Sequence, residues 1–107
     1  GDEAMRDVAA VADVPPGSGL VVEAGESRVA VFNVGGTFYA ISNTCAHMDG
    51  SLGEGELEGH IVVCPLHSWE YDVRNGTCVA PVWCNDKKNV LSYTVTIENG
   101  GRVVDVD

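Results

Sequence analysis

Two short doublets, Cys45-Ala46-His47 and Cys64-Pro65-Leu66-His67, each bring one thiol and one imidazole together. Sixteen residues separate His47 from Cys64, enough chain for an out-and-back excursion that sets two loops face to face. Two thiolates and two imidazoles satisfy either one tetrahedral zinc or a 2Fe–2S cluster with mixed ligands. Three details favour the cluster. The doublets pair Cys with His, not Cys with Cys and His with His as in common zinc fingers, so both cysteines can reach one iron and both histidines the other. Neither doublet lies on a helix-forming stretch. Pro65 and the glycines Gly50, Gly53, Gly55 and Gly76 suit loops whose backbone N–H groups turn inward toward sulfur acceptors, and such hydrogen bonds tune a cluster's potential. A framework of disulfides among the four cysteines would leave the histidines unexplained. Buried cysteines beside ordinary surface histidines would require both doublets to arise by accident.

Other residues of chemical interest lie around the doublets. Cys78 and Cys84 read as structural thiols packed as small hydrophobes; a bond between them, closing a small loop, is the alternative. His60 belongs to no doublet and reads as a surface or turn residue. Trp69, Trp83 and Met48 either border a docking edge or pack around the metal. Asp49, Glu54, Glu56 and Glu58 fall between the ligand loops, either simply solvated or facing a basic partner.

The elements that must position the doublets read as strands. Arg6 to Val14 is an expected first strand, ended by Pro15-Pro16-Gly17. Leu20–Glu23 and Arg28–Val34 flank the turn signal Ala24-Gly25-Glu26. Gly35-Gly36 joins Arg28–Val34 to Thr37–Ser42 as a hairpin with a two-residue loop. Leu91, Tyr93, Val95 and Ile97 alternate with Ser92, Thr94 and Thr96, which predicts a strand with one apolar face. After Asn99-Gly100-Gly101, Val103, Val104 and Val106 form its return strand. From Asn43 to Cys84 only His60–Cys64 and Trp69–Val73 read as strands. So long an irregular stretch calls for a functional or covalent restraint.

The chain has 107 residues, enough for one domain with a modest core that gains much from an internal staple such as a metal site. Six basic against sixteen acidic residues give a net charge of −10. That balance argues against nucleic acid and anionic membranes as partners and makes a basic protein face the natural complement, with salt-sensitive association. No apolar run reaches the roughly 18–20 residues that span a bilayer. The start, Gly1 to Arg6, lacks a basic segment followed by an apolar run, so the expected location is the cytoplasm.

C-x-H, sixteen residues, then C-x-x-H is the motif of Rieske proteins. The stretch Cys64-Pro65-Leu66-His67-Ser68-Trp69-Glu70-Tyr71-Asp72 resembles that of the Rieske ferredoxins serving ring-hydroxylating dioxygenases, and also that of the small subunit of nitrite reductase. The similarity continues through Asn75-Gly76 and Ala80-Pro81 to the final hairpin. The resemblance implies an all-β Rieske fold: an antiparallel sandwich or barrel-like base and, within residues 1–107, a small cluster-binding subdomain at about 41–82. It assigns Cys45 and Cys64 to an inner iron, and His47 and His67 to an outer, more exposed one. It implies a third loop covering the cluster, with Pro81 in it.

Departures from the family are equally specific. Rieske proteins of the cytochrome bc complexes carry an extra cysteine in each cluster loop; here Met48, Asp49 and Gly50 follow His47, and Leu66 precedes His67, so that disulfide cannot form. Trp69 replaces a serine that donates to sulfur in high-potential members, while Tyr71 retains their tyrosine. The expected potential falls in the lower half of the ~−150 to +300 mV Rieske range. Neither a nucleotide-binding glycine fingerprint nor a second metal motif is present. The expected role is therefore that of a soluble one-electron carrier, not a catalyst, running from a flavoprotein reductase to a terminal oxygenase. Its electrons would pass by His47 and His67, whose outward nitrogens can lose protons, so the potential is expected to fall as pH rises. The alternative is a small subunit resident in a nitrite reductase-type complex.

Overall fold

A computed structural model describes residues 5–10, 13–24, 27–44, 50–66, 68–84, 88–98 and 102–106. Among these residues ten strands form two antiparallel sheets, and there is no α-helix. The larger sheet has six strands: β1 (Met5–Ala10), β2 (Gly19–Ala24), β3 (Ser27–Val34), β4 (Thr37–Ser42), β9 (Ser92–Glu98) and β10 (Arg102–Val106). They lie in the order β1-β10-β9-β4-β3-β2. The all-β expectation holds, and both expected hairpins form. At β3–β4, Val34 pairs with Thr37 across Gly35 and Gly36, whose φ angles of 59° and 99° are those of the turn that matches strand twist. The return strand β10 pairs with β9 from Arg102↔Glu98 to Val106↔Thr94.

Several strand ends shift by one residue from the sequence reading, and two differences change where a side chain lies. The first strand stops at Ala10 instead of running to Val14. Val14 is instead fully buried in the following turn, its carbonyl accepting from Asn33 Nδ2 at 2.7 Å. Leu91 was expected on the apolar face of the late strand, but β9 begins one residue later and Leu91 is 69% exposed. Tyr93 and Val95 do pack inward.

The smaller sheet is a meander of β5 (Glu56–Glu58), β6 (Ile61–Val63), β7 (Glu70–Asp72) and β8 (Cys78–Ala80). Its strands are only three residues long, so it needs support from packing. β3 provides that support because it is buried on both faces. Val29 and Val31 point to one core with Val22 and Ala40, while Ala30 and Phe32 point to the other with Ile41, Leu52, Val62, Cys64, Trp69 and Tyr71. Alternation along one strand thus explains the continuous apolar run Val29-Ala30-Val31-Phe32 and joins the sheets.

Cys78 and Cys84 form a disulfide, with Cα atoms 5.7 Å apart. The reading of two separate thiols is corrected here. The chain doubles back where Cys84 N–H donates to Pro81 O at 2.9 Å, bringing together cysteines whose spacing alone does not reveal their proximity. Closing so short a loop contributes about 2 kcal/mol by chain entropy.

Candidate metal centre

Both doublets fall in loops flanking the small sheet: the first between β4 and β5, the second between β6 and β7. Cys45, His47 and His67 lie outside the described residues, as do Met48 and Asp49. Cys64 is described and is buried at the end of β6.

Each loop is pinned at its neck. Around the first doublet, Thr44 and Ser51 form an antiparallel bridge. Asn43, 3% exposed, secures that neck from beneath. Its N–H donates to Arg28 O at 3.0 Å and its carbonyl accepts from Leu52 N–H at 2.8 Å. Its side-chain oxygen accepts from Gly53 N–H at 2.7 Å, and its side-chain nitrogen donates to Ser51 Oγ at 3.0 Å. Around the second doublet, Cys64 N–H donates to Trp69 O at 2.7 Å and Ser68 N–H donates to Cys64 O at 3.0 Å. Ser68 completes this reversal with a φ of 62°. Pro65, Leu66 and Ser68 at its tip are exposed, whereas Cys64 and Trp69 at its base are buried.

The loops meet at Gly50. A Cβ built there would stand 2.6 Å from Cys64 Sγ and 3.4 Å from Leu66. The backbone just past the first doublet therefore runs directly against the Cys64 sulfur, an approach that the missing side chain permits. A buried sulfur on a constrained turn, with Gly50 just past the other Cys–His doublet packed against it, fits a donor set of soft thiolates and imidazoles.

The other glycines have a different role from the one expected. The N–H of Gly53 goes to Asn43, that of Gly55 to Leu52 O at 3.0 Å, and that of Gly76 to Asp72 O at 2.8 Å. These donors hold the loops' own backbone; they do not point to a sulfur. Trp69 and Trp83, treated alike in the sequence, separate in the structure. Trp69 is 7% exposed and packs in the core, whereas Trp83 is 60% exposed. Of the four exposed large hydrophobic residues among those described, Leu66, Val82 and Trp83 sit on the second loop and on the turn after β8. Glu54, Glu56 and Glu58 are exposed along the edge strand β5 and its approach. His60 occupies the β5–β6 turn, with Nε2 3.8 Å from Asp72 Oδ2. Sequence reasoning missed Asn43, whose position just before the first doublet was its only signal.

A family model described as "Rieske [2Fe-2S] domain" matches residues 4–93. The biphenyl dioxygenase ferredoxin subunit of Pseudomonas sp. (strain KKS102) is 42% identical over 98 residues, covering 91% of this chain and 85% of that protein. Among solved structures, the complex of reduced oxygenase and oxidized ferredoxin in carbazole 1,9a-dioxygenase matches with a TM-score of 0.85 at 30% identity, covering 97% of this chain and 94% of that one. The putative NADH-dependent nitrite reductase small subunit from Mycobacterium tuberculosis shares the fold, with a TM-score of 0.81 at 20% identity over 94% of this chain and 92% of that one.

Proposed function

Because the chain belongs to the Rieske 2Fe–2S family, we propose that it carries single electrons from a flavoprotein reductase to a terminal oxygenase, on a cluster held by Cys45, His47, Cys64 and His67. It is an electron-transfer component, not a catalyst, and its cofactor is a Rieske-type 2Fe–2S cluster. When bound, that group supplies reversible one-electron chemistry. The chain's residues hold and aim it. In this reading Cys45 and Cys64 bind from the protein side, and His47 and His67 from the side nearer solvent. One observation carries the reading: the backbone of Gly50, three residues past His47, lies against the Cys64 sulfur, which supports a site shared by the two doublets. The buried base and exposed tip of the second turn support the division into inner thiolates and outer imidazoles. We take residues 1–107 as one domain, with about 41–82 as its cluster-binding part.

Electron delivery follows docking at this end. Leu66, Val82 and Trp83 offer apolar contact, Glu54, Glu56 and Glu58 are exposed on the edge strand β5 and its approach, and the net charge is −10. A partner with an apolar socket and a basic rim complements that surface. The described residues contain no helix long and apolar enough to cross a membrane, and the reading places the chain in the cytoplasm. The test is a reconstituted relay with a flavoprotein reductase and the oxygenase of a biphenyl dioxygenase. Substrate turnover should require this chain, and its rate should fall steeply as salt is raised. No reduction by the reductase, or a salt-resistant stoichiometric complex on gel filtration, would contradict the shuttle and favour a resident subunit.

A further inference from the structure

The Cys78–Cys84 disulfide and Trp83 have no part in binding the cluster, yet they are linked step by step to the turn that bears Cys64. Cys78 opens β8, where it pairs with Tyr71 of β7, so one sulfur is fixed to the small sheet. The other belongs to Cys84, which is fully buried although its neighbours Val82 and Trp83 are 86% and 60% exposed. The turn between the two cysteines is otherwise held by Cys84 N–H donating to Pro81 O and Lys88 N–H donating to Cys84 O, both at 2.9 Å, and the disulfide ties it to β8. Trp83 meets Trp69 edge-on, with ring centroids 5.2 Å apart and planes at 89°. Trp69 in turn receives the Cys64 N–H on its carbonyl at 2.7 Å.

We propose that Cys78, Cys84 and Trp83 are positioning residues for the metal centre: the disulfide fixes the turn so that Trp83 covers Trp69 and shields the Cys64 turn from water and small chelators. This rests on the Cys64 turn being half of the cluster site. The clamp opens by thiol–disulfide exchange. A small dithiol gives two electrons and two protons to the Cys78 and Cys84 sulfurs, breaking their bond, and is itself oxidised to a cyclic disulfide. Because both cysteines are fully buried, that reduction requires the turn to open first and is slow.

The test compares the purified native chain, a C78A/C84A double variant and Trp83→Ala, the last being a surface change that leaves the disulfide in place. The first readout is acrylamide quenching of tryptophan emission. The native chain should show one accessible and one protected tryptophan. In Trp83→Ala the remaining Trp69 should become accessible, and in the double variant both should be. The second readout is the decay of the cluster's visible absorbance under an iron chelator, several-fold faster in both variants than in the native chain. Trp83→Ala should do this with a much smaller fall in melting temperature than the double variant shows, which separates shielding from general loss of stability. A Trp69 that stays protected in Trp83→Ala, or native-like cluster retention in that variant, overturns the proposal. A chain that takes up no iron overturns the electron-carrier reading instead, and the quenching result still decides whether the clamp shields Trp69.

Discussion

Asp72 shows what a single side chain does to hold the second loop's sheet together. It is 6% exposed, and burial alone would raise the pKa of its carboxyl. Arg74 outweighs that effect. Its side chain donates to Oδ1 at 3.0 Å and to Oδ2 at 2.8 Å, and its backbone N–H donates to Oδ1 at 2.9 Å. Together with the charges of Arg74 and His60, these bonds hold the carboxyl below its ordinary value of 3.8. A group whose pKa is lower folded than unfolded contributes stability that is complete above the unfolded value and is lost as pH falls through the folded one. In urea unfolding from about pH 7 down to about pH 3, Asp72→Asn should therefore be less stable than the native chain at neutral pH. The gap should narrow only at the acid end of that range. A gap independent of pH would show that the carboxylate's charge is not what stabilises the β6–β7 pair.

At the scale of elements, the centre depends on two pinned loops, and the first depends on Asn43. Removing its side chain leaves the buried Gly53 N–H without its acceptor and frees the Ser51 neck, at a cost of about 1–3 kcal/mol. Asn43→Ala should lower the urea midpoint accordingly and speed cluster loss under a chelator; an unchanged midpoint would contradict the role given to that neck. The sequence shows hairpins and doublets well, because turn chemistry and ligand type act over a few neighbours. Thr37–Ser42 is found with the expected bounds. It shows the small sheet poorly. Glu56–Glu58 and Cys78–Ala80 are too short to carry a period, and their Leu57 and Cys78 pack into the core to which β3 contributes Ala30 and Phe32. The Cys78–Cys84 bond stayed only an alternative for a related reason: it depends on a chain reversal at Pro81 that local composition does not encode. Likewise, the glycines around the site were legible as necessary, but which backbone group each approaches is a matter of tertiary packing.

At the scale of the whole molecule, a six-stranded base and a four-stranded meander divide the work. β3 buries one face within the base and the other against the meander and so fixes the meander, which carries Cys64 at the end of β6 with Gly50 against its sulfur. Apolar Leu66, Val82 and Trp83 are exposed on the second loop and the turn after β8, in a chain whose net charge of −10 a basic partner face would complement. The central claim is that the two Cys–His loops close on a Rieske cluster. It is tested most directly by the absorption and electron paramagnetic resonance spectra of the purified protein before and after dithionite. The account predicts a coloured protein that, once reduced, gives a signal whose average g lies below that of all-cysteine clusters. A colourless protein with stoichiometric zinc, silent even after anaerobic iron–sulfur reconstitution, would contradict it.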